Sequence, residues 1–344
     1  MRIANAMFGC GLGGIEQAFI DYTKALMVYG HKVTAIYHPD AQIAGVMEPI
    51  PVYKETLHNR GFWDIFAARR LRHLLEHYEI DAVIAHGNRA VSLCRKAAKG
   101  KIPVIGVCHN YRLKRLIGCD ALLTITEDLR QTAIKAGQPE ASVHVIPNMI
   151  NLPAGLTGEP KPWHQPPVIG AMGRFVHKKG FHIFLEALKQ LKDKGVIFSA
   201  VLGGDGEEKE KLQQCIQEYG LSNIVQLTGW VEDKAVFFQG IDIFCVPSLH
   251  EPFGIVLLEG FLHQVPIVST ASEGPREIIT SGEDGVLAPV NDALALAEAL
   301  QKVITDKQTA DKLVIQAVDT LKKRYALPVV AEKIHRVLEG IGNK

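Results

Sequence analysis

No stretch of this chain approaches the roughly 18 consecutive apolar residues that a membrane-spanning helix needs. The opening M-R-I-A-N-A-M-F-G meets glycine too early to form the core of a signal peptide. Cysteine is sparse and unpatterned, six in 344 residues (10, 94, 108, 119, 215 and 245), with no C-x-x-C or C-x-x-H pair. Such spacing argues against a thiolate metal site or a disulfide frame; reduced, buried thiols in a cytosolic protein are the expectation. No D-x-D triad occurs, which removes the usual carboxylate pair for a divalent cation on a diphosphate, so no metal is expected. Neither sign of charge dominates: the formal net charge is +1, which excludes a general nucleic-acid binder.

What the chain has is alternation. Candidate strands at 2–7, 32–37, 82–85, 103–107, 121–124 and 143–146 enclose amphipathic helices such as 15–29 and 62–78. The scheme repeats with strands at 168–172, 198–202, 224–227, 241–246 and 266–269, and a helix at 181–192. Strand–helix units at this density predict an α/β protein with two parallel sheets, each covered by helices. The length suits two domains, and 47% hydrophobic content is ample for two cores. Five prolines in 153–167 mark a linker. The divisions are therefore 1–152, the linker 153–167, a second Rossmann-like domain over 168–326, and a terminal helix over 327–344. Facing sheets would leave a cleft at the carboxyl ends of their strands, where open α/β folds bind ligands.

Charge is uneven within that frame. Residues 60–115 carry a surplus of Arg and Lys over four acids (Asp64, Glu76, Glu79, Asp81). Arg69, Arg70 and Arg72 sit on a predicted helix behind Trp63 and Phe66. A solvated helix face is one reading; a docking face for acidic lipid head groups or an anionic acceptor is the other.

The densest signal is P-S-L-H-E-P-F-G-I-V-L-L-E, Pro247 to Glu259. It follows an apolar strand, places Pro252 where the first turn of a helix tolerates it, and offers Gly254 for a close backbone approach. A strand, a loop and a helix start make an anion site. Glu251 at its mouth would repel a phosphate and suits hydroxyls, and a carboxylate at Glu259 cannot be buried unpaired. Hydroxyl-rich ends around an anionic middle describe a sugar nucleotide.

This segment resembles the E-x(7)-E motif of retaining GT-B glycosyltransferases, glycosyltransferase family four. Gly173-Arg174-Phe175 with Lys178-Lys179-Gly180 is similar to that family's G-R-x-x-x-x-K-G element. Gly203-Gly204-Asp205-Gly206, Gly229-Trp230-Val231 and Ile146-Pro147-Asn148 resemble its further elements in order, over most of the second half. The resemblance implies a GT-B architecture, two Rossmann-like domains facing across a cleft. The first would bind acceptor, the second nucleotide sugar, and the terminal helix would cross back to the first.

It also implies roles. Arg174 and Lys179 would hold the departing diphosphate; Glu251 would read hydroxyls of the transferred sugar, and Glu259 those of the ribose. Gly173, Gly204, Phe253, Gly254 and Ile255 would approach the donor closely, with Trp230 and Val231 beside the base. His109 matches the family's histidine near the reacting sugar. His86 and Asn88 are expected acceptor contacts, and Asn148 is expected to shape the cleft. The loop Gly9-Cys-Gly11-Leu-Gly13-Gly14 satisfies G-x-G-x-x-G and read alone suggests a dinucleotide oxidoreductase, but the next acid past the second strand, Asp40, comes too late. It is also similar to the family's G-G-x-E loop, in which Gly13 and Gly14 approach the diphosphate.

The function implied is retaining, metal-independent transfer from a nucleoside-diphosphate sugar, UDP foremost, to a glycan or lipid-linked hydroxyl. No cofactor is expected, and no nucleic-acid partner. A cytoplasmic protein of bacterial envelope polysaccharide or lipopolysaccharide assembly would fit, with possible anionic-membrane contact through residues 60–115. The alternatives are a nucleotide-sugar epimerase of the same architecture and an inactive nucleotide-sugar-binding protein.

Overall fold

The computed structural model describes residues 1–11 and 13–342; Leu12 of the glycine loop and residues 343 and 344 of the expected terminal helix lie outside the described residues. The chain divides into two compact units, Met1–Asn151 joined by the chain from Arg324 onward, and Leu152–Lys323.

The first unit carries seven parallel strands: β1 (Arg2–Met7), β2 (Lys32–Tyr37), β3 (Tyr53–Thr56), β4 (Ala82–His86), β5 (Val104–Cys108), β6 (Ala121–Thr124) and β7 (Val143–Val145). Their order is β3-β2-β1-β4-β5-β6-β7. The second unit has six: β8 (Val168–Met172), β9 (Ser199–Gly203), β10 (Val225–Gly229), β11 (Ile243–Val246), β12 (Ile267–Thr270) and β13 (Val286–Ala288), ordered β10-β9-β8-β11-β12-β13. Apolar runs such as Ile243–Val246 are buried throughout, as strands covered on both faces must be.

Strand order reverses at β1/β4 in the first unit and at β8/β11 in the second. Chains leaving neighbouring strands at such a point turn to opposite faces of the sheet and open a crevice at the carboxyl edge. The glycine loop and His86 follow β1 and end β4. The Gly173–Gly180 turn and the Pro247–Gly254 loop follow β8 and β11. Topology alone thus brings the motifs of each half together.

Three features depart from the sequence expectations. The edge strands β3 and β13 are additions. The proline-rich stretch belongs to the second unit rather than standing free. Asp242, fully buried, accepts hydrogen bonds from the backbone N of His164 (3.1 Å) and of Val168 (2.7 Å). Pro252 lies before the helix, not in its first turn: the helix spans Ile255–Leu262, because Gly254 at φ 92° stops helical geometry from reaching back. At the other end, helix Leu327–Gly342 buries Val330, Ala331, Ile334 and Leu338 in the first unit's core with Tyr22, Ala25 and Leu26. Among the described residues no helix is long and apolar enough to cross a membrane.

Candidate active site

In the second unit the Gly173–Gly180 turn is locked to the loop after β11 by backbone. The N–H groups of Leu249 and His250 donate to Lys178 O (2.9 and 3.2 Å). Gly180 has φ 67°, and a Cβ on it would collide with the carbonyl oxygen of Pro247. This packing sets Lys179 against Glu251, whose Oε2 accepts from Nζ. Glu251 is buried and Lys179 half-buried. Arg174, two residues beyond β8, is exposed and forms no ion pair among the described residues. Gly173 and Gly204 bring two strand ends together: Gly173 N donates to Gly203 O (2.9 Å), Gly204 N to Gly229 O (2.6 Å).

The Ile255 helix begins with no side-chain cap at Gly254, so its first N–H groups are not claimed by a side chain. One turn in, Glu259 is 8% exposed. Its Oε1 accepts from Lys234 Nζ at 2.5 Å, whereas its Oε2 is buried with no hydrogen-bond partner among the described residues. A buried carboxylate oxygen left unpaired costs free energy and is satisfied by a donor such as a hydroxyl. Trp230 stands 54% exposed just past β10, and Phe253 turns its ring into the protein. Glu273, which the sequence reading passed over, holds the loop: it accepts from Glu251 N (3.1 Å) and bonds His250 Nδ1 (2.6 Å). Lys234 was also passed over. Its signal was Glu259 itself, an acid on a buried helix that needs a cation.

The first unit gathers the other expected residues. Asn5, on β1, donates through Nδ2 to Phe19 O (3.0 Å) and Thr23 Oγ1 (2.9 Å), which turns its Oδ1 to His86 Nε2 at 2.9 Å. His86 Nε2 must therefore carry a proton. Neutral His86 then offers Nδ1 as an acceptor to His109 Nε2, 3.1 Å away. His109 is thereby held as the Nε2–H tautomer, leaving Nδ1 to accept. Burial pushes the His86 pKa well down and lowers that of His109 to about 4, so both rings are neutral near pH 7. The expectation that His86 touches acceptor is corrected here: it is 3% exposed and both its nitrogens are engaged. Asn88 spends Nδ2 on Arg112 O (2.8 Å), with Oδ1 buried and unpartnered. Asn148 is buried, its Oδ1 likewise unpartnered. At the glycine loop, Gly13 caps and Gly14 opens the helix Gly14–Val28. Side chains at Gly9 or Gly13 would press on the Glu16 carboxylate, so an acid already sits in this loop.

Among the described residues two sets place three possible metal ligands within 4.8 Å of one another, His38 with Asp40 and His58, and His177 with His182 and Glu208. Neither includes Glu251, Glu259, His86 or His109, although His177 lies in the Gly173–Gly180 turn.

Solved structures with this architecture are glycosyltransferases of the GT-B fold, and so is this chain in fold. Anabaena HepE in complex with UDP and glucose matches 99% of this chain and 100% of its own at 20% identity, with a TM-score of 0.83. The lipopolysaccharide outer core galactosyltransferase WaaB matches 99% of each chain at 17% identity, TM-score 0.80. Residues 159–320 match the model of glycosyl transferases group 1, and residues 12–153 that of glycosyltransferase family 4. The chain belongs to this glycosyltransferase family. It is similar to the lipopolysaccharide core biosynthesis glycosyltransferase LpsE of Rhizobium meliloti, 28% identical over 98% of this chain and 99% of that one. The phosphatidyl-myo-inositol mannosyltransferase of Mycobacterium leprae is 25% identical over 96% and 93%.

Proposed function

We propose that this chain catalyses the retaining transfer of a sugar from a UDP-sugar to a hydroxyl of a glycan or lipid-linked acceptor, without metal or cofactor. The carrying observation is Glu259: a buried carboxylate oxygen without a partner, on a helix whose uncapped start lies beside the Lys179–Glu251 pair. That arrangement suits a diphosphate with hydroxyls on either side. The relatives' names support a role in assembling lipopolysaccharide or related envelope polysaccharide, and the UDP in HepE supports the donor base.

In this reading the donor separates the resting pair. Lys179 and Arg174 turn to the diphosphate, and the freed Glu251 accepts from sugar hydroxyls. Trp230 and Val231 border the base; Gly13 and Gly14 let the backbone approach the diphosphate. The acceptor oxygen bonds the anomeric carbon on the face the diphosphate leaves. The sugar–phosphate C–O bond breaks, its electrons pass to the phosphate, and that phosphate takes the acceptor's proton. Cations fixed before charge develops lower this barrier. His109, through Nδ1, accepts from a substrate hydroxyl, and Asn88 helps shape the acceptor pocket. Residues 60–115 set the enzyme peripherally on an anionic membrane at its cytoplasmic side.

Thermal unfolding against UDP, GDP, ADP and NAD tests the donor. A ligand at a hundred times its Kd adds ~2.7 kcal/mol, a rise of a few degrees. The expected result is a rise with UDP that Lys179→Ala abolishes. A rise with NAD alone would overturn the reading.

A further inference from the structure

Residues 60–115 hold twelve Arg and Lys against four acids. Among the described residues none of the four acids forms an ion pair with those cations. Asp64 is buried and caps a helix by accepting from Ala67 N at 2.9 Å. Glu76 lies 3.8 Å from His73, Glu79 pairs with Arg2, and Asp81 accepts from Arg2 N at 2.7 Å. Among the described residues none of the twelve forms an ion pair with a carboxylate. Several bind backbone carbonyls instead, which ties three segments into one face. Lys96 Nζ donates to Phe62 O (3.0 Å), Arg72 to Ala97 O (3.1 Å) and Lys96 O (3.2 Å), and the Arg115 guanidinium lies over the Phe62 ring at 3.3 Å.

The same face exposes large apolar side chains where the helix Ile65–His77 begins. Phe62 is 40% exposed, Trp63 57%, Ile65 62% and Phe66 73%. Scattered exposed apolar residues are ordinary, but four within five positions make a patch. Beside it runs a groove of about 370 Å³ lined by Ile65, Ala68, Arg69, Arg72, Lys96 and Lys99.

We propose that this face is an interfacial anchor for a membrane containing acidic phospholipid. Phe62, Trp63, Ile65 and Phe66 enter the headgroup region, and the Arg69–Lys99 groove takes a lipid phosphate. This deepens, and rests on, the peripheral reading of residues 60–115 given above. A free polyanion would satisfy the cations alone. Water-exposed Ile65 and Phe66 beside them gain only where one medium is apolar and anionic together.

Co-sedimentation of the full chain with phosphatidylcholine vesicles, with and without phosphatidylglycerol, tests this. Binding is expected only with the acidic lipid, weakening as salt rises. The pair Trp63→Ser and Phe66→Ser should weaken it at least ~10-fold, and neutralising Arg69 should cost ~5-fold. Trp63 and Phe66 are exposed, so the variants lose no core packing and should keep the wild-type unfolding temperature. Equal binding to neutral vesicles, no binding to acidic ones, or no loss in the aromatic pair would each overturn the anchor. So would tighter binding of single-stranded polynucleotide that the aromatic pair leaves unchanged. UDP-induced stabilisation, read in parallel, separates the two proposals: its absence removes the donor reading and leaves the vesicle result standing.

Discussion

Glu251 and Glu259 each stand against a lysine, and the two pairs predict different kinetic losses. If Glu251 reads the transferred sugar as proposed, Glu251→Gln removes that charge and turnover should fall at least ~10-fold. Under the same proposal Glu259→Gln touches the ribose, a part of the donor that does not change during reaction. Its donor KM should rise ~10-fold with kcat nearly kept. Steady-state rates on both variants check this, and equal kcat losses would misplace the ribose. The histidines predict a pH effect. His109 has a folded pKa of about 4 against an ordinary 6.5, and His86 is depressed as well, because burial disfavours their charged forms. Unfolded rings therefore bind protons that folded rings refuse. Their contribution is complete above pH ~6.5 and is lost as pH falls toward 4, on the order of 3 kcal/mol for His109. Urea unfolding at pH 7 and pH 5 should show that loss, and His109→Gln should shrink it. The placing of Glu251 and Glu259 on one loop and helix after an apolar strand was legible because a single local motif carried both. Lys234, Glu273 and Asn5 were not: each acts through a partner distant in sequence, and only the fold shows which.

At the scale of elements, regular strands read well where both faces are apolar. The expected strands at 2–7, 32–37, 121–124 and 168–172 coincide with β1, β2, β6 and β8. The missed strand β3 reads Y-K-E-T at a sheet edge, where one open side lets polar residues in and erases the apolar run. The missed strand β13, V-L-A, is too short to show a period. Turns depend on contacts that sequence hides. Gly180 reads as a generic glycine, yet its φ of 67° and its contact with Pro247 hold Lys179 in place. Gly180→Ala should destabilise by ~1–3 kcal/mol and weaken UDP binding. Denaturant unfolding with nucleotide titration checks both; intact UDP affinity would mean that Lys179 does not need this turn.

For the whole molecule, the alternating pattern made two parallel sheets legible, but not which unit owns the proline-rich stretch. Its buried anchor, Asp242, lies some 78 positions from His164, beyond any local signal. The helix Leu327–Gly342 tests the division most directly. Ile334 is 1% exposed in the first unit's core, and Ile334→Ala should cost ~2–5 kcal/mol. Hydrogen exchange should then rise in β1 and the Gly14–Val28 helix and stay unchanged in β8 to β13. A uniform rise would make the two units one cooperative body.

That helix also sets an order of events during synthesis. Translation adds roughly 5–20 residues each second, and domains fold as they emerge. Residues 152–323 leave the ribosome as a complete set, while the first unit, begun earlier, still lacks the segment that covers Tyr22, Ala25 and Leu26. The half made first is therefore the half finished last. Until the final helix arrives, it carries an open apolar face that a nascent-chain chaperone would recognise.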